Sequence, residues 1–186
     1  MFHKELQVLK HIVILDDNPD ELCDFIVELK IRQFEISIRR NPHGLFNVLT
    51  GEKPIDLLIL DVMVPGTLVL GDNIVETNGG YTTGILIAKY LRHAGIELPI
   101  ILFSVAWRKP IIDEIHTFEK KDSNTAYIEK WTMGAEELAD FIEELFRRGH
   151  VKKGSWKFLK LFGDSLVLKP SFCGMGIDIK KLFNLT

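Results

Sequence analysis

Three short runs of the chain are apolar at nearly every inner position and end on a polar residue: HIVILDD (11–17), IDLLILD (55–61) and LPIILFS (98–104). Runs of this length without polar alternation are expected of strands buried on both faces, as in a parallel sheet. FEISIR (34–39) alternates like a half-buried strand, and TAYIEK (125–130) reads as a last short one. The intervening segments switch to helical spacing. Asn18-Pro19-Asp20-Glu21 offers a cap, a proline for the first helical position and a glutamate three residues after the cap. The spacing Leu22, Phe25, Ile26, Leu29 then predicts a helix to about Arg32. Further helices are predicted over Pro42–Thr50, over 79–95 with Gly95 as its stop, from Pro110 to about Lys121, and over 135–148 with acids in its first turn. Residues 62–79 are expected to form one long loop.

The order is βαβαβαβαβα. It predicts an α/β fold, a five-stranded parallel sheet with helices on both faces. In such sheets chemistry collects beyond the carboxyl ends of the strands, where strand order reverses. Asp16 and Asp17, Asp61, Ser104 and Lys130 stand at those ends. Crowded carboxylates repel one another unless a cation intervenes, and an all-oxygen set suits Mg²⁺. Mg²⁺ accompanies phosphoryl transfer, an aspartate can be the attacking group, and a hydroxyl and a lysine can hold phosphoryl oxygens.

Composition sets outer limits. No apolar run reaches membrane-spanning length and MFHKELQVLKH is not a signal peptide, so a cytoplasmic protein without a membrane partner is expected. Cys23 and Cys173 are far apart and read as reduced thiols, with Cys23 expected to be buried in a helix. The six histidines show no metal-ligand spacing, and no G-x-S-x-G nucleophile elbow is present. The net charge of −3 hides an asymmetry: from Arg147 onward nine Lys/Arg oppose two acids, leaving −10 on the first 146 residues and +7 on the tail. The tail 150–186 is too short for a winged-helix module. It reads as a solvated basic surface docked on the acidic body or on a partner. Nucleic-acid contact through Trp156, Phe158 and Phe162 is the lesser reading.

Over residues 10–149 the chain resembles the receiver domains of bacterial two-component response regulators. The resemblance rests on the acidic pair in VILDDNPDE, the strand-end aspartate in LLILDVMVPG, the hydroxyl in IILFSVA and the lysine in YIEK. It implies a doubly wound, flavodoxin-like receiver fold with a short C-terminal appendage, 150–186. It further implies that Asp61 accepts a phosphoryl group from a histidine kinase or phosphotransfer protein, as in a phosphorelay. Asp16, Asp17, Asp61 and the backbone carbonyl of Met63 would hold Mg²⁺. Ser104 and Lys130 would bind the phosphoryl group, and Tyr127 would be the aromatic switch that changes a surface for a downstream protein target. The protein would not be an enzyme beyond self-phosphorylation and slow autodephosphorylation; a homodimer stays open.

Two departures from the family pattern stand out. Trp131 follows the lysine where receivers usually carry proline, so the loop there is expected to differ. TLVLGDNIVETNG (67–79) reads as an insertion of roughly ten residues, a lid or partner-contact loop over the site. Both leave open a receiver-like interaction module that does not use phosphate. A third reading, an aspartyl-phosphate phosphatase, wants an acid two residues after the nucleophile, where this chain has Met63.

Overall fold

The computed structural model describes residues 9–70, 73–105 and 108–148. The tail 150–186, with Cys173, lies outside the described residues. β1 (His11–Leu15), β2 (Glu35–Arg39), β3 (Leu57–Leu60), β6 (Ile100–Ser104) and β7 (Thr125–Glu129) form one sheet in the order β2-β1-β3-β6-β7. All its pairings are parallel. Every residue of β1, β3 and β6 is buried, as their unbroken apolar runs require. The edge strand β2 is half-buried at every position, without the in-and-out alternation its sequence suggests.

Two apolar layers sandwich the sheet. On one face α1 (Cys23–Ile31) and α5 (Ala135–Arg147) pack Phe25, Ile26, Leu29, Leu138 and Ile142 against Ile12, Ile14, Ile59 and Phe103. On the other, α2 (Pro42–Leu49), α3 (Thr83–His93) and α4 (Lys109–Lys121) cover Val13, Leu15, Leu58, Leu60 and Leu102. Successive strand residues face opposite sides, so neighbouring positions of one run feed both layers.

Sequence and structure differ in several places. Pro19–Leu22 forms a 3₁₀ turn ahead of α1. The Asn18 side chain does not cap it but donates to Glu21 Oε1. Cys23 is exposed rather than buried, because α1 turns Leu22, Phe25, Ile26 and Leu29 inward and leaves position 23 on its outer side. The 62–79 segment is not a simple loop: β4 (Leu68–Leu70) and β5 (Asn73–Val75) pair antiparallel as a separate hairpin. Leu68 and Leu70 are fully buried in the layer of α2 and α3, while Ile74 is 78% exposed. Apolar alternation in LVL, with one face in the core, is enough to order this insertion. Among the described residues no helix is long and apolar enough to cross a membrane.

Candidate functional site

Strand order reverses between β1 and β3, and the residues leaving those strands are Asp16 and Asp61. Backbone hydrogen bonds hold both in register: Asp61 N donates to Leu15 O at 2.8 Å and Asp16 N to Arg39 O at 2.9 Å. Each carboxylate then folds back on its own loop. Asp16 Oδ1 accepts from Asn18 N, and Asp61 Oδ1 from Met63 N, both at 2.9 Å. These local turns aim the remaining oxygens over the sheet edge.

Lys130 reaches the same point from the end of β7. Its Nζ donates to Asp61 Oδ2 at 2.6 Å and to Asp16 Oδ2 at 2.7 Å, and the side chain is only 3% exposed. Burial works against the ammonium charge. The charge of Asp61, the hydrogen bonds to Asp16 and Asp61 and the charge of Asp16 outweigh it, so the Lys130 pKa lies above its ordinary value. Ser104, at the end of β6 and fully buried, donates Oγ–H to Asp61 Oδ1 at 2.7 Å. Asp61 itself is 6% exposed and has both oxygens engaged by side-chain donors.

Asp17 is exposed, yet one carboxylate oxygen each from Asp16, Asp17 and Asp61 lie within 4.8 Å of one another. Three carboxylates against one ammonium leave a formal −2 on the cluster, all on hard oxygen donors. That charge and donor type fit a divalent cation of the Mg²⁺ class. Met63 is held against Asp61 through its N–H.

Tyr127 sits on β7, half-buried, with its ring edge-on to His116 of α4 at 5.7 Å. Its N–H donates to Glu119 Oε1 at 3.0 Å, and His116 Nδ1 lies 3.5 Å from Glu119 Oε2. α4 thus grips the outer edge of β7 where Tyr127 stands. Burial, with the charge of Glu129, raises the Tyr127 pKa.

Trp131 follows Lys130 through a trans bond and takes a positive φ of 72°. The left-handed turn redirects the chain toward α5 and leaves the indole exposed. The departure from proline thus changes the backbone route without moving Lys130 from the carboxylates.

Two glycines, Gly80 and Gly84, complete the site. A Cβ on Gly84 would lie 2.2 Å from Asp61 O and 2.9 Å from Val62 Cα, and Gly84 N donates to Val62 O at 3.1 Å. The first turn of α3 therefore lies directly on the backbone that carries Asp61. Gly80 has φ +96°, and a Cβ there would meet Pro65 Cα at 2.8 Å. Beside it Thr83 Oγ1 donates to Val64 O at 2.7 Å, tying the end of the insertion back to the Asp61 loop. The only sequence signal was a glycine four residues after Gly80 inside a helical pattern.

No family model matches the chain, and no curated protein matches it in sequence. Solved structures do. The signal receiver domain of a Luxo repressor protein from Vibrio parahaemolyticus aligns over 76% of this chain and 92% of its own, with a TM-score of 0.56 at 14% identity. A CheY-like response regulator receiver domain protein from Methanospirillum hungatei aligns over 76% and 96%, TM-score 0.54, 19% identity. A Francisella response regulator receiver domain aligns over 75% and 98%, TM-score 0.55, 17% identity. At such identities the likeness is one of architecture: the chain has the fold of a response regulator receiver domain, with an acidic cluster at its switch point.

Proposed function

We propose that the protein is a phosphorylation-controlled receiver in two-component signalling, with Asp61 as its phosphoryl acceptor. The observation that carries this reading is the engagement of both Asp61 oxygens by different donors, Ser104 on Oδ1 and Lys130 on Oδ2, beside two further carboxylates. In the transfer, an Asp61 oxygen forms a bond to phosphorus as the bond from phosphorus to the donor breaks. An imidazole nitrogen of a histidine kinase or phosphotransfer protein is the donor this reading expects. The product is an acyl phosphate. Whichever oxygen is esterified loses its negative charge, and its hydrogen-bond donor is released to the new phosphoryl oxygens. Lys130 supplies a fixed positive charge in a water-poor site, and Ser104 supplies a neutral donor.

Asp16, Asp17 and Asp61, with the Met63 carbonyl, would hold Mg²⁺, which neutralises phosphoryl oxygens when bound. Movement of Ser104 toward the phosphoryl group would open space beside β6, and Tyr127 on the adjacent strand would exchange its contact with His116 for that space. The grip of Glu119 and His116 on β7 would then loosen, and the α4–β7 surface seen by a downstream protein would change.

Intact mass after incubation with Mg²⁺ and acetyl phosphate, beside Asp61→Asn, tests the reading. A gain of one phosphoryl group in the wild type alone is expected. No gain, together with no Mg²⁺-dependent binding of beryllofluoride, would replace it with a phosphate-independent interaction module.

A further inference from the structure

The face of α1 turned away from the sheet carries Cys23, Val27 and Ile31, four residues apart and one above another. Val27 is 56% and Ile31 66% exposed, among the few large apolar side chains so placed. This double-sided apolar character is unusual for a helix that already buries Phe25, Ile26 and Leu29 on its inner face. Beside the N-terminal end of α1, Asp24 and Phe25 and the segment Trp131–Ala135 line a recess of about 340 Å³, walled by the exposed indole.

The surroundings of this stripe are acidic. Asp20, Glu21, Asp24 and Glu28 come from the α1 side, and Asp140 and Glu143 from α5. Lys30, Arg32 and Arg40 oppose them, and with Glu144, Arg147 and Arg148 at the end of α5 the net is −2. Arg32 is spent internally, bonded to Glu28, Asp140 and Glu143.

The chain leaves α5 close to the opposite end of this face. Arg32, which ends α1, is bridged to α5, and Phe34 just beyond it meets Phe146 with ring centroids 5.7 Å apart. The end of α5 at Phe146–Arg148 therefore lies beside the C-terminal end of α1. The first strongly patterned stretch of sequence beyond Arg148 is KKGSWKFLKLF (152–162), with four lysines, no acid and five large apolar residues. The eight residue steps from Arg148 to Trp156 span up to about 28 Å when extended, twice the length of α1, at about 1.5 Å per residue.

We propose that segment 152–162 docks within its own chain on the exposed face of α1, with lysines toward the carboxylates and aromatic side chains on Val27, Ile31 and the recess beside Trp131. The attachment point, the reach and the opposite charges favour this occupant over a second copy, whose α1 face would bring acids against acids. The proposal is independent of phosphoryl transfer at Asp61.

The full chain with Val27 replaced by the photo-crosslinker p-benzoylphenylalanine tests it. Irradiation should yield a monomeric product whose cross-linked peptide falls within 152–162, and the yield should drop in ~1 M salt, where screening acts within about 3 Å. Cross-links only to a second copy, or to no residue of 152–162, would overturn it. A second reading uses Cys23 thiol modification in a Cys173→Ser background. Trp156→Asp with Phe162→Asp should speed modification about tenfold if roughly nine-tenths of the molecules are docked, and an unchanged rate would overturn the proposal.

Discussion

Replacing Lys130 with methionine removes a buried cation from between two carboxylates while nearly keeping its volume. The two contacts, 2.6 and 2.7 Å, are each worth about 6 kcal/mol of direct attraction at an effective dielectric near 20. Desolvation of the ammonium offsets much of this, so the net loss expected from orphaning Asp16 and Asp61 is about 3–5 kcal/mol. A domain of this size holds roughly 5–15 kcal/mol in all, so the variant should remain folded but be plainly weakened. The loss depends on pH in a definite direction. The Lys130 pKa is raised in the folded state, so its contribution is complete below the unfolded lysine value of about 10.4 and fades only as pH rises through the folded value. Near neutrality wild type is therefore flat in this respect. In Lys130→Met the carboxylates of Asp16, Asp17 and Asp61 face one another without a counter-charge, so the deficit should shrink when a divalent cation is supplied. Urea unfolding followed by circular dichroism at neutral pH measures it, and adding Mg²⁺ should recover up to about 2.7 kcal/mol at one hundred times its dissociation constant. A deficit below about 1 kcal/mol would refute the view of Lys130 as the counter-charge of this cluster.

Other expectations follow from single contacts. Gly84→Ala drives a methyl group into Asp61 O and Val62 Cα, backbone atoms that cannot swing aside, and should cost about 3 kcal/mol or more in urea midpoint analysis. Leu68→Ala should cost about 2–5 kcal/mol because the hairpin is part of the core, while Ile74→Asp on its exposed face should stay within about 0.5 kcal/mol. Equal effects would show that the insertion is not anchored. Removal of the whole insertion would take Leu68 and Leu70 with it, so it is a poor probe of access to Asp61. Burial opposes ionisation of Asp122, but hydrogen bonds from Thr125, Arg92 and Asn124 and the charge of Arg92 hold its pKa below the ordinary value. That stabilisation is present above about pH 3.9 and lost as pH falls through the folded value. Asp122→Asn should therefore destabilise at pH 7 and converge on wild type in acid, as read by unfolding midpoints across pH.

The sequence by itself determined the sheet and the identity of the clustered side chains. Unbroken apolar runs can be satisfied only between two layers of helices, and their ends carry Asp16, Asp61 and Ser104 in any register that keeps the runs buried. Lys130 was legible on the same ground, as the residue following β7. Tertiary structure decided what depends on partners distant in the chain. Cys23 lies outward because α1 presents another stripe to the sheet, which a nine-residue pattern with apolar residues on both sides does not reveal. The 62–79 segment holds a hairpin because Leu68 and Leu70 join the apolar layer that α2 and α3 cover. Gly84 matters because α3 comes to lie on the Asp61 backbone, a contact that exists only once β3 and α3 have packed. Local pattern encodes which surfaces must be hidden, while close approach of backbone to backbone and the choice among competing apolar faces are settled by packing, where the whole chain acts at once.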